Sequence, residues 1–243
     1  MSQPVNRPLR FYGDPPPGID LSPLPGRLIV VEGQDGSGRS TQIRLMKEWL
    51  EDHGFGVVDT GLTRSELAGP GIRRAKSGHD LDPITLNLFY ATDFFDRVER
   101  LIIPSLRAGM VVLADRYIFS MIARAATRGI DPAWTADVYG FAPVPDAVVY
   151  LDVDIEHLLP RILINGGFDF WESGLDVMRG QDVFDSFLRY QAQIGSHFRE
   201  LAQQHSFTVI NARGPIKQTF GAIMVEVERV MNDMRAAPTK EVT

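Results

Sequence analysis

The sequence predicts a doubly wound α/β fold, a five-stranded parallel sheet with helices on both faces. Three observations carry that expectation. Short apolar runs alternate with amphipathic segments along residues 28–234, the pattern of repeated β-α units. Runs such as Leu28-Ile29-Val30-Val31 and Val111-Val112-Leu113-Ala114 are apolar throughout, as strands covered on both faces must be. The first run leads straight into a glycine-rich loop that opens a helical segment, Gly33-Gln34-Asp35-Gly36-Ser37-Gly38-Arg39-Ser40-Thr41. Such sheets have right-handed crossovers and bind ligands at the carboxyl ends of their strands.

Residues 1–26 hold seven of the sixteen prolines. Proline fixes φ and removes a donor, so this extension is expected to be extended and irregular. Phe11, Tyr12, Leu21 and Leu24 are available to pin it to the domain. Two readings stay open: a loosely docked tail, or a substrate-site lid or oligomer contact.

One domain is expected over 27–235, ahead of a polar tail over 236–243. Leu28–Val31 is read as the first strand. Ser40–Asp52 is the first helix, with Ile43, Met46, Trp49 and Leu50 on one face, and His53-Gly54 ends it. Gly56–Thr60 is the second strand, followed by a turn and a short basic helix within Thr63–Gly78. Pro83 suits the first turn of a long helix reaching Ala108, and Pro104 predicts a kink near its end. Met110–Ala114 is the third strand. Helices are expected over Ile118–Arg128 and Asp131–Gly140, a strand over Ala147–Val153, and a helix over Ile155–Ile164. Asn165–Gly180 reads as a loop or lid. A long helix over Gln181–Gln204, a strand over Phe207–Asn211 and a helix over Pro215–Met234 complete the domain.

Composition narrows the chemistry. The net charge of −6 argues against a nucleic-acid polymer as partner. Any phosphate ligand must then be held by local positive charge. There are no cysteines, which fits the cytoplasm, and no stretch approaches the ~20 apolar residues of a membrane span. Basic residues are 21 Arg against 4 Lys, so cationic chemistry rests almost wholly on guanidinium groups.

The loop spacing is G-x-x-x-x-G followed by a basic residue and a hydroxyl, a phosphate-cradling P-loop in which Arg39 stands where lysine is expected. Gly33, Gly36 and Gly38 let backbone N–H groups converge on one anion, and the helix opening near Arg39 adds its positive dipole end. Ser40 sits where a hydroxyl ligands Mg²⁺. Asp115 ends an apolar strand, where an acid can hold the same hydrated ion, and Arg116 can clamp phosphate in bidentate fashion.

These motifs resemble those of the thymidylate kinase family. The resemblance is carried by Val31-Glu32-Gly33-x-Asp35-Gly36-Ser37-Gly38-x-Ser40-Thr41-Gln42 and by Leu88-Phe89-Tyr90-Ala91. It continues in Ile103-Pro104-x-Leu106-x-x-Gly109-x-Val111-Val112-Leu113-x-Asp115-Arg116-Tyr117-x-x-Ser120, in Arg128-Gly129 and in Pro145-Asp146-x-x-x-Tyr150-Leu151-Asp152-Val153. It implies a three-layer P-loop NTPase fold and transfer of the γ-phosphate of Mg-ATP to a deoxynucleoside monophosphate, foremost dTMP to dTDP. By similarity, ATP would lie on Gly33, Gly36, Ser37, Gly38, Arg39, Ser40 and Thr41, and Mg²⁺ on Ser40 and Asp115. Asp35, Arg39, Asp115 and Arg116 would be catalytic. The acceptor would meet Asp35, Arg64, Arg73, Phe89, Asp93, Arg97, Arg116, Tyr117 and Arg124, with Phe89 stacked on the base. The family often forms dimers, so a homodimer is compatible.

Several positions depart from the family pattern. Arginine at 39 keeps the charge of lysine but is bulkier and planar. Asp93 falls where the family carries an arginine for the thymine carbonyl. An ionised Asp only accepts, and so would favour a base with an amino group unless Arg97 or Arg124 neutralises it. Arg124-Ala125 stand where Tyr-Gln is usual. The segment Gly166-Gly167-Phe168-Asp169-Phe170-Trp171-Glu172-Ser173-Gly174 has no arginine, which leaves Arg161 and Arg179 as the flanking candidates. Its aromatics could clamp a base or ribose, or pack the lid onto the following helix, and Asp169, Glu172 and Asp176 could form a metal site. Two alternatives to a dTMP kinase stay open: a kinase of the same fold for another nucleotide or nucleoside, and an ATP-binding protein with weak or no catalysis.

Overall fold

The computed structural model describes residues 6–78, 81–164, 166–177 and 182–235. Five parallel strands form one sheet in the order β2-β3-β1-β4-β5. They are β1 (Arg27–Gly33), β2 (Val57–Gly61), β3 (Val111–Asp115), β4 (Ala147–Asp152) and β5 (Thr208–Asn211). The helices are α1 (Arg39–Asp52), α2 (Gly69–Gly78), α3 (Pro83–Arg97), α4 (Ile103–Arg107), α5 (Ile118–Thr127), α6 (Pro132–Val138), α7 (Ile155–Ile164), α8 (Val183–Gln204) and α9 (Ile216–Arg235). The α/β fold expected from sequence is the one observed.

Alternation along the strands splits the core in two. Leu28 and Val30 of β1, with Val112 and Ala114 of β3, pack beneath α3, α5 and α8. Ile29, Val31, Leu113 and Val149 face the other way, onto Ile43 and Met46 of α1 and Val227 and Met231 of α9. β1 is buried along its whole length, which is why its sequence shows no polar alternation. Registers Val31↔Asp115 and Gly61↔Asp115 bring the carboxyl ends of β2 and β3 level with Val31, two residues before β1 ends. Asp115 therefore sits beside the start of the P-loop.

The expected bend near Pro104 takes a particular form. One turn of π-helix, Val98–Ile102, links α3 to α4. Proline has no N–H to give, and its ring crowds the carbonyl four residues back. Widening the ladder by one residue relieves both without breaking the helix.

The amino-terminal extension is docked on the amino ends of the strands. Arg7 pairs antiparallel with Leu24 and Phe11 with Pro143. Arg7 also reaches Asp146 at 2.7 Å. The Tyr12 ring meets Phe119 and His205 edge-on. Leu24 is buried, while Leu21 remains half exposed. The extension thus lies at the end of the sheet opposite the P-loop, and the reading of it as a substrate-site lid is corrected by that placement. The first five residues and the tail over 236–243 lie outside the described residues.

If the extension is an integral part of the core, Leu24→Ala should lower unfolding free energy by about 2–4 kcal/mol, the range for an enclosed leucine. Urea denaturation followed by circular dichroism would measure it, and a loss within error of zero would mean the extension is only loosely attached.

Candidate active site

β1 ends at Gly33, and the chain turns through residues 34–38 before α1 begins. Gly38, at φ +97°, precedes the first helical residue, and no side chain caps the helix. A Cβ would be strained in that left-handed conformation. The free N–H groups of the first turn remain available to an anion. They face a cleft of about 490 Å³ lined by Gly36, Ser37, Ser40, Thr41, Arg161 and the turn over residues 212–216. Arg161, from α7, spans this cleft and donates to the carbonyls of Ser37 (3.4 Å) and Ala212 (2.9 Å).

Arg39 is 6% exposed and folds back into the loop. Its Nε donates to Asp115 at 2.8 Å. Its Nη1 donates to the carbonyls of Gly33 and Gln34, and its Nη2 approaches Asp35 at 3.4 Å. The other Asp115 oxygen accepts from the Ser40 hydroxyl at 3.0 Å. A carboxylate and a hydroxyl side by side form a hard oxygen donor set suited to hydrated Mg²⁺.

Asp35 gathers three guanidinium groups. Arg116 is in contact with it, Arg124 lies at 3.1 Å and Arg39 at 3.4 Å. Burial, reinforced by neighbouring Arg124, pulls the Arg116 guanidinium down to about 10. It therefore keeps its charge at neutral pH. Arg116 also takes φ +70°, rare outside glycine. Its N–H bonds to Val31, and the next residues are fixed by Glu32, which is fully buried. That carboxylate accepts from Tyr117 N at 2.8 Å, Ser120 N at 3.1 Å and Ser120 Oγ at 2.6 Å. Burial raises the pKa of Glu32, and these donors oppose the rise. Glu32 falls within the motif around the P-loop, but its sequence context assigns it no task.

Between α3 and α5 lies a second, much smaller cavity of about 30 Å³, lined by Asn87, Tyr90, Met121, Arg124, Arg128 and Trp171 among others. Arg128 is engaged by Asp176 at 2.6 Å and by the Tyr190 hydroxyl at 2.5 Å. Asn87 is buried, and its Oδ1 has no hydrogen-bond partner among the described residues. Tyr90, Asn87 and Arg128 are not expected as site residues from sequence, whereas Trp171 is one of the lid aromatics that could clamp a base or ribose.

Four expected acceptor contacts are corrected. Phe89 lies on the outer face of α3 with Leu67, Leu88 and Thr92. Tyr90, one residue and about 100° further round the helix, faces the cavity instead. Asp93 is fully enclosed, accepting from the N–H groups of Thr63 (3.1 Å) and Ser65 (3.0 Å) and from Arg97 Nε (3.0 Å). It fixes the loop after β2 and leaves no carboxylate oxygen for a base. Arg97 is buried against it and Thr60. Tyr117 is in the core, its hydroxyl donating to Pro143 at 2.6 Å. Arg64 and Arg73 stay exposed, bound to Asp59 and to the Thr63 carbonyl respectively.

The lid segment is packed down. Trp171 donates to the Lys76 carbonyl at 2.9 Å. Phe168 lies against Phe184 and Phe187 of α8, and Gln191 donates to the Glu172 carbonyl. Two of the three suggested metal ligands have other partners: Asp169 caps the N–H groups of Trp171 and Glu172, and Asp176 pairs with Arg128. Arg179 lies outside the described residues.

A parallel sheet with a P-loop at its centre, an acid at the end of the neighbouring strand and arginines on either side defines a P-loop phosphotransferase. The thymidylate kinase family profile matches residues 31–223. A probable thymidylate kinase 2 from Saccharolobus solfataricus is 34% identical over 86% of this chain and 96% of its own length. A probable thymidylate kinase from Pyrococcus horikoshii is 32% identical over 84% and 96%. A thymidylate kinase from Akkermansia muciniphila is 37% identical over 70% and 85%. The chain belongs to the thymidylate kinase family.

Glu32→Ala would strand three buried donors and free the strained Arg116 turn. It should destabilise the protein by about 3 kcal/mol, while Glu32→Gln, which keeps an acceptor, should cost clearly less. Paired urea titrations test this, and equal losses would mean that the acceptor itself is unimportant.

Proposed function

We propose that the protein transfers the γ-phosphate of Mg-ATP to a deoxynucleoside monophosphate, dTMP foremost, giving dTDP. The observation that carries this reading is the arrangement around Arg39. On one side lie an uncapped helix start, Ser40 and Asp115; on the other, Asp35 with Arg116 and Arg124. A phosphate can be received on each side of a single buried cation. A monophosphate acceptor is already anionic, so no side chain has to remove a proton. The difficulty is bringing two polyanions together, and positioning and electrostatics accomplish that.

In this reading, the loop N–H groups and Arg161 hold the donor. Ser40 and Asp115 would hold Mg²⁺, which when bound neutralises charge on the donor phosphates. Arg116 clamps the transferred or accepting phosphate, and Asp35 orients it through its guanidinium partners. Arg124 borders the acceptor pocket, Tyr90 offers the base an aromatic face, and the Asn87 amide offers its edge hydrogen-bonding groups. With Asp93 enclosed, the argument for an amino-bearing base loses its main support. Arg124 keeps that alternative in view, and the engagement of Arg39 within its own loop keeps the weakly catalytic one.

No helix among the described residues is long and apolar enough to cross a membrane, and we place the enzyme in the cytoplasm. The exposed side chains of Ile84, Leu88 and Phe89 on α3, beside Leu67, give a homodimer an apolar face. Light scattering after gel filtration tests it.

Purified protein with Mg-ATP should phosphorylate dTMP in preference to dUMP, dCMP, dGMP, dAMP and nucleosides. Asp115→Ala should abolish turnover. Nucleotide binding without turnover of any acceptor would favour the weakly catalytic reading, and preference for dCMP or a nucleoside would favour the other.

Tyr90→Ala should raise acceptor KM about tenfold or more, as loss of a base-stacking face does, with Phe89→Ala leaving it unchanged. The reverse pattern would return the base to the outer face of α3.

A further inference from the structure

We propose that Arg39 is an internal counter-ion of Asp115, so that its guanidinium and a divalent cation compete for the same carboxylate oxygen. The proposal rests on the kinase reading only in assigning Asp115 to the metal. Four observations carry it. Arg39 Nε lies 2.8 Å from Asp115 Oδ1, the oxygen that Ser40 does not use. The guanidinium is anchored from behind by the Gly33 and Gln34 carbonyls. It is almost wholly enclosed, where a charge pair is poorly screened. Its third nitrogen reaches Asp35, on the acceptor side.

Chemistry explains why arginine does this and lysine would not. A guanidinium presents five donors on three nitrogens in one plane. It can hold Asp115, two carbonyls and Asp35 at the same time. A lysine ammonium is one nitrogen with three donors and cannot span those groups. With Arg39 in place, Asp115 and Asp35 have a shared positive partner before any metal arrives. A divalent cation on Asp115 must therefore displace one charge-assisted hydrogen bond and tolerate a guanidinium close by. Arg39 is then a positioning residue that sets metal affinity and ties the carboxylate of the donor side to that of the acceptor side.

The test uses the full chain and Mn²⁺ alone as the probe, with no nucleotide, at fixed ionic strength. Binding is followed by electron paramagnetic resonance of the free ion. Arg39→Met should bind Mn²⁺ about tenfold more tightly than the unsubstituted protein, and Arg39→Lys about threefold more tightly, the scale of losing one charge-assisted contact. Adding Asp115→Asn to Arg39→Met should abolish the gain. Circular dichroism checks that each variant is folded; should Arg39→Met not fold, Arg39→Lys carries the test. Equal Mn²⁺ affinity in the unsubstituted protein and the folded Arg39 variants would overturn the proposal, as would a gain that survives Asp115→Asn. Because no acceptor is present, failure of dTMP turnover would remove the kinase reading and leave this measurement standing.

Discussion

The site depends on one constraint: cations must be concentrated at the carboxyl ends of the strands of a protein whose net charge is −6. Guanidinium groups packed that closely repel one another unless carboxylates lie between them. Asp35 supplies that balance for Arg116, Arg124 and Arg39, and Asp115 shares Arg39. The sheet fixes these acids. Asp115 is pinned by register between Val31 and Gly61, and Asp35 follows β1 by two residues. The geometry of charge is thus set by strand pairing, and the loops fill in the cations.

What was legible in the sequence was local. The P-loop is contiguous, so its spacing, the strand before it and the helix after it could all be read from one stretch. Fully covered strands announced themselves because no polar residue interrupts them. The positions misread were those where a side chain's direction depends on distant chain. Phe89 and Tyr90 are adjacent aromatics on one helix, and only the packing of α3 against α5 decides which faces the cavity. Asp93 looks like a free carboxylate in sequence. Besides Arg97, its donors are the N–H groups of Thr63 and Ser65, 30 and 28 residues earlier, in a loop whose course no short pattern records. Tyr117 follows the Asp115-Arg116 pair, yet its ring points into the core to meet Phe94.

Glu32 and Asn87 show the converse. Neither stands out by residue type or spacing, since a Glu near the end of a strand and an Asn in a helix are commonplace. Their significance comes from burial. A fully enclosed carboxylate must be matched by donors, and the donors found are those that shape the turn carrying Arg116. An enclosed amide oxygen without a partner, beside a cavity, is the kind of group a ligand's N–H can satisfy.

The arginine bias of the chain gains meaning from partners more than from number. Arg97 and Arg128 are each matched by an acid, Asp93 and Asp176, and Arg64 shares Asp59 with Lys47. They hold loops and helices together and contribute little net charge to the cleft. Arg161 differs: its contacts at the donor cleft are carbonyls, which orient a guanidinium without neutralising it. The absence of arginine from residues 166–174 therefore need not leave the donor side short of charge. The residue that supplies it comes from α7, just before the lid, on a helix whose Leu158 and Ile162 pack against Gly36 of the P-loop. Mounting that cation on a packed helix rather than on the aromatic lid segment fixes its position against the loop it serves, and frees Phe168 and Trp171 to bind the segment to α8 and α2.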